Sequence, residues 1–310
     1  MIVKRAHVAQ IFFRDVGLLR AAPHGEDLPY ALRSLAQRRY SIILQRTESA
    51  VAHFNLSKQL FVGALTCAFA GPAFAHDADN AAASVAIAAA IADSARPATD
   101  TARDANRKPA EVLAFAGVKP GDKIADYAVG QGYFTRLFSA IVGAQGHVYG
   151  SVPNTLYEYP NIVKGTAEVE AYLFTHTNAS LNFGAALSVA KYPEKLDVFW
   201  ISQNYHDLKD KFMGPVDTAA FNRAVFDALR PGGTYVVIDH VAAKGASADV
   251  TDTLHRIDPA LVRREIEAAG FKFIAESTLL ANPADPHTAG VFNATIVGHT
   301  DQFIYKFKRP

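Results

Sequence analysis

The chain has 310 residues and a formal net charge of +1 with histidine neutral. That balance gives no electrostatic case for a nucleic-acid or anionic-membrane partner. Its single cysteine, Cys67, excludes an intrachain disulfide.

Residues 1–55 are rich in arginine and have patchy hydrophobic periodicity. They read as an extension outside the working protein. Lys58 is followed by the apolar run Leu60 to Gly71 and then by Pro72-Ala73-Phe74-Ala75. A positive start, an apolar core and Ala-x-Ala have the form of a secretory signal over 56–75. The expectation is a product that starts near Leu56, is cut after Ala75 and is periplasmic or secreted. Without use of that signal it would be cytoplasmic. Residues 76–100, rich in Ala, Asp and Ser, read as a flexible tail with some helix over 81–92. Residues 101–310 read as one folded α/β domain.

In that domain the spacing predicts a helix over 102–116, with Pro109 at a first turn and Gly117 as the stop. Lys123 to Tyr127 is a short buried strand, and Ala128-Val129-Gly130-Gln131-Gly132 is a small-residue loop. Tyr133 to Val142 places Phe134, Leu137, Phe138 and Ile141 at helical spacing, and His147 to Tyr149 is a second strand. This is a βαβ unit with its tight turn at the ligand-binding end. Gly130 and Gly132 would let the backbone turn close to a ligand. Asp126 is a candidate acceptor for a ligand's ammonium or hydroxyl groups.

Further on, a helix is predicted over 167–174 and a strand over 179–183. A buried strand over 195–201 runs into the polar stretch Ser202-Gln203-Asn204-Tyr205-His206-Asp207. An amphipathic helix over 218–229 ends at Arg230-Pro231-Gly232-Gly233. A strand over 234–238 ends at Asp239-His240. A helix from Pro259 to Ala269, a strand over 271–275, a Pro- and Asp-rich loop and a last strand over 303–307 complete the chain. Alternating strands and helices imply a doubly wound, Rossmann-like sheet of about seven strands with helices on both faces. Ligands bind at the carboxyl ends of strands in such sheets. Three strand ends are polar there: Asp126, then Asn204 to Asp207, then Asp239-His240.

Four stretches carry a resemblance: ARDANRKPAEVLAFAGVKPGDKIADYAVGQGYFT, DVFWISQNYHDL, LRPGGTYVVIDH and DTLHRIDPALVRREIEAAGF. Residues 94–310 resemble the class I S-adenosylmethionine-dependent methyltransferases, and in particular the bacterial predicted methyltransferases that carry a signal peptide. The resemblance implies methyl transfer from S-adenosyl-L-methionine to a small-molecule acceptor. It places Asp126, Ala128, Gly130, Gly132 and Asn204 at the cofactor. Ala128 stands where the family has glycine, and the second strand lacks the family's ribose-binding acid.

Methyl transfer from a sulfonium is an in-line displacement that needs alignment and, for a neutral acceptor, a base. His206 and His255 are the candidate bases, with Asp207 or Asp258 to orient an imidazole. Tyr205, His240 and Arg256 are candidate substrate contacts, Arg256 for an acidic substrate. His206, Asp207, Asp239 and His240 lack a compact ligand spacing, so no metal is expected. The expectation also excludes nucleic acid and stable membrane attachment after signal cleavage. The alternative is an exported, non-catalytic or repurposed binding protein on the same scaffold. Its motive is that adenosylmethionine is a cytosolic cofactor.

Overall fold

The computed structural model describes residues 72–310, except 190 and 215. The arginine-rich extension and most of the expected signal segment lie outside the described residues. Where a flexible tail was expected, helix α1 runs over Pro72–Ala92 and continues across the expected cut after Ala75. Its Ile87 and Ala90 are buried against the sheet's helical cover. Burial of that narrow stripe holds the alanine-rich segment down. No helix among the described residues is long and apolar enough to cross a membrane.

Single helical turns at Ala98–Thr101 and Asp104–Arg107 lead to α2, Pro109–Ala116. The helical stretch expected over 102–116 divides at Lys108, which takes a left-handed φ of 43°. Pro109 then starts α2 in the first-turn position where its missing N–H costs nothing. Strand β1 is Lys123–Tyr127, as the pattern predicts. It is followed by α3, Tyr133–Val142, and β2, His147–Pro153. Helix α4, Pro160–Leu173, starts earlier than its apolar spacing suggests, again with proline in the first turn. Strand β3 is Ala179–Gly184 and β4 is Leu196–Ser202. Helix α5, Thr218–Ala228, is capped by Asp217, whose carboxylate accepts from the Ala220 amide. Strand β5, Leu229–His240, includes the Arg-Pro-Gly-Gly stretch as its irregular entry. Helix α6, Pro259–Ala268, is capped in the same way by Asp258. Strands β6, Lys272–Ser277, and β7, Gln302–Lys308, finish the fold.

The seven strands form one sheet in the order β3-β2-β1-β4-β5-β7-β6. The first five pair in parallel, and β7 runs antiparallel between β5 and β6. The strand order reverses direction between β1 and β4, which puts the switch point of a Rossmann-like sheet beside the glycine loop. Alternation along β1 assigns the two faces. Ile124 belongs to the layer under α1, α2 and α3, with Phe134, Phe138 and Trp200. Ala125 and Tyr127 belong to the opposite layer, under α5 and α6, with Phe199, Phe221 and Ile266. The fold is therefore a seven-stranded mixed sheet with helices on both faces.

Candidate functional site

The glycine loop is packed chiefly by protein. Ala128 has a φ of 59°, a left-handed conformation that strains any residue with a Cβ. A glycine there would be relaxed, which gives a backbone reason for the glycine usual in the resembling family. Gly130 shares that conformation, with a φ of 54°, and a Cβ on it would meet open space. Gly132 differs: a Cβ there would stand 2.3 Å from Cγ2 of Val169 on α4 and 2.9 Å from the Arg136 guanidinium. Gly165 of α4 sits on Gln131 and on the Gly130 carbonyl. Of the loop's two glycines, Gly132 serves helix-on-loop packing and Gly130 faces free space.

Asp126 is enclosed, and its Oδ2 accepts a 2.6 Å hydrogen bond from the Thr135 hydroxyl in α3. Its carboxylate is committed to the first turns of that helix. Burial pushes its pKa up to about 7, against the pull of Thr135, Arg107 and Arg136. At the end of β2, in place of a carboxylate, Ser151 is fully buried with its hydroxyl toward that of Tyr192, and the Tyr127 hydroxyl is buried without a hydrogen-bond partner. Tyr127 and Ser151 are register partners, so both residues stand at the carboxyl ends of β1 and β2.

Arg107 is the residue here that sequence reasoning missed. Its guanidinium lies 4.7 Å from the Tyr133 ring centre and 5.6 Å from that of Phe134, and it donates to Gln203 Oε1 at 3.2 Å. It makes no ion pair among the described residues. Burial, with the nearby Arg103 cation, pulls its pKa down to about 10, so it remains charged at neutral pH. The signal was present in the quoted ARDANRKP stretch, but only folding shows that Arg107 lacks an anion.

At the β4 and β5 ends a second cluster is closely joined. His206 Nδ1 stands 2.8 Å from Asp239 Oδ1, and the His206 amide donates to Asp239 Oδ2 at 2.8 Å. Its Nε2 lies 3.1 Å from Asp207 Oδ1. Burial alone works against a charged ring, but Asp239 and then Asp207 outweigh it and hold His206 well above its ordinary pKa. Burial likewise raises the Asp239 carboxyl, but the His206 charge outweighs it and keeps the pKa below the usual range. With Nδ1 on Asp239 and Nε2 on Asp207, the ring has no nitrogen free to take a proton from an acceptor, so this geometry does not suit His206 to the role of general base. Asn204 donates to Asp207 Oδ2 at 2.7 Å and so orients that carboxylate, rather than lying free for a cofactor. His255, in a left-handed turn, places Nδ1 4.0 Å from Asp207 and 3.7 Å from Asp210. Asp210, absent from the sequence reading, is 1% exposed, and neither carboxylate oxygen has a partner within hydrogen-bond distance; the neighbouring Thr251 hydroxyl donates to the Ala248 carbonyl instead.

The three expected substrate contacts have internal work. Tyr205 is fully buried, with its hydroxyl donating to Glu265 at 3.0 Å and accepting from Asn222 at 2.8 Å. His240 pairs with the Thr300 hydroxyl at 2.7 Å, and burial pulls its pKa down to about 4, so the ring is neutral. Arg256 is fully buried, bound to Asp285 at 2.9 Å and donating to the Val241 and Ala289 carbonyls, each at 3.0 Å. It braces the loop after β5 and has no free face for an acidic substrate. Asp258 caps α6.

No family model and no curated protein matches the chain. Solved structures are similar at low identity. One is an S-adenosylmethionine-dependent methyltransferase from Aquifex aeolicus, 16% identical, covering 64% of this chain and 88% of its own, at a TM-score of 0.45. Another is fibrillarin from Aeropyrum pernix in complex with S-adenosyl-L-methionine, 20% identical, covering 66% and 76%, at 0.42. A third is the [4+2]-cyclase SpnF, 16% identical, covering 69% and 81%, at 0.47. The fold assignment rests on the strand order itself.

Proposed function

We propose that the protein is an S-adenosylmethionine-dependent methyltransferase acting on a small-molecule acceptor. The observation that carries this reading is Arg107, a half-buried cation without an ion-pair partner among the described residues, held between the Tyr133 and Phe134 rings that follow the glycine loop and Gln203 just past the end of β4. The residues present fit the cofactor's polar groups. Arg107 would hold its carboxylate, and the buried hydroxyls of Tyr127, Ser151 and Tyr192 offer donors and acceptors for its sugar. The cofactor supplies an electrophilic methyl group. This chain's part is to bind, align and exclude water. Asp239, His206 and Asp207 form a fixed charged wall at the neighbouring strand ends. His206 acts there as a positioning residue, and His255, half-exposed beside it, keeps the expected role at the acceptor side. Export through residues 56–75 is part of the same proposal.

Titration calorimetry with S-adenosylmethionine tests the reading. Binding is expected, weakened at least tenfold in Arg107→Met. No heat at millimolar cofactor would instead favour the repurposed scaffold. That second reading has its own support in the packed Gly132 and the enclosed Asp126.

A further inference from the structure

We propose that His206, Asp207, Asp210 and His255 form a mononuclear site for a divalent transition-metal ion. One ligand atom from each of the four lies within 4.8 Å of the other three. Three of the separations are 3.1, 3.7 and 4.0 Å. Atoms bound at about 2.1 Å to one ion stand about 3.0 Å apart at right angles, about 3.4 Å in a tetrahedron and about 4.2 Å when opposite. The His255 distances are too long for hydrogen bonds and suit groups arranged around a common centre.

Asp210 points independently to a ligand. It is a carboxylate with both oxygens enclosed and without a hydrogen-bond partner, and its Oδ2 faces His255. A buried unpaired carboxylate is costly unless a cation joins it. The surrounding contacts also have the form of a metal's outer shell. Asp239 occupies His206 Nδ1 and leaves Nε2 toward the cluster. Asn204 occupies Asp207 Oδ2 and leaves Oδ1 toward it. A carboxylate behind a ligating histidine and a hydrogen bond behind a ligating carboxylate are what orient such ligands.

Two imidazoles select an ion such as Zn²⁺ or Co²⁺ over Ca²⁺ and Mg²⁺, which take oxygen shells. His255 is 29% exposed through its side chain, so a water or an acceptor oxygen can complete the coordination. The site lies at the ends of β4 and β5 and draws in Asp210 and His255, where Asp239 and His240 were the residues weighed from sequence.

The test uses the full-length chain, stripped with a chelator, and contains no adenosylmethionine, so its outcome is separate from that of the methyl-transfer reading. Co²⁺ is titrated by visible absorption and Zn²⁺ by calorimetry. One ion per chain is expected, with affinity reduced at least tenfold in both Asp210→Asn and His255→Ala. His176→Ala, an exposed site elsewhere, should bind like wild type. Asp210→Asn keeps shape and removes a buried charge, and His255 is half-exposed, so both variants should fold, which circular dichroism checks. Absence of one-to-one binding in the wild type, or wild-type affinity in either variant, would overturn the site.

Discussion

Asp126 holds a titration that the fold must oppose. In the unfolded chain its carboxyl ionises near pH 4, and in the folded protein burial delays this to about 7. Between those values the folded state binds a proton that the unfolded state has released. Stability therefore falls as pH rises from about 4 to 7 and stays lower above that. Asp126→Asn keeps an acceptor for Thr135 and removes the titration. Unfolding free energies from pH 4.5 to 8 should show the wild type losing roughly 2–4 kcal/mol relative to the variant, since each pH unit by which burial delays ionisation costs about 1.4 kcal/mol. Parallel curves would show that Asp126 is ionised throughout. Asp122, raised to about 6 chiefly by burial, has the same sign and is common to both proteins. That Asp126 ends β1 was legible from the residue pattern. Its hydrogen bond to Thr135 was not, because an acidic strand end facing a ligand and one facing a helix have the same local sequence.

Among the elements, the packing of α4 on the glycine loop carries the clearest sign contest. Gly165→Ala replaces a poor helix former, a gain of about 0.5–1 kcal/mol in a helix with free space. The new Cβ would stand 2.8 Å from Gln131 Cγ, 2.9 Å from its Cα and 3.1 Å from the Gly130 carbonyl. The loop backbone cannot yield as a flexible side-chain end would, and overpacking costs about 1–3 kcal/mol. The clash should win, with a net destabilisation of about 1–2 kcal/mol by chemical denaturation. Unchanged or increased stability would show that the loop gives way. The strand and helix kinds were readable because their periods differ. Their limits were less so where proline opened a helix, at Pro160, or where a left-handed residue split one, at Lys108. Helix α1 was hard to read because alanine and aspartate suit both a tail and a helix, and the few apolar positions matter only once α2 and α3 lie against them.

Across the whole molecule, β7 is the keystone of the antiparallel edge. It comes last in the chain yet lies between β5 and β6, and Ile304 and Phe307 are fully buried in opposite layers. Deleting residues 301–310 would strip β6 of its partner and expose one side of β5. A thermal melt of that truncation should show no cooperative transition, and a sharp one would mean that the parallel strands suffice. Sequence periodicity by itself determined that the protein alternates strands and helices, and that polar groups gather at the carboxyl ends of β1, β4 and β5. These features come from residues near one another in the chain. Only the tertiary structure decided which polar groups meet. His206 reaches Asp239 across 33 residues, Arg107 reaches Gln203 across 96, and Arg256 reaches Asp285 across 29. Parallel crossovers bring such distant ends together. The choice between a free ligand-binding group and one already committed inside the protein is made by those non-local contacts and by burial.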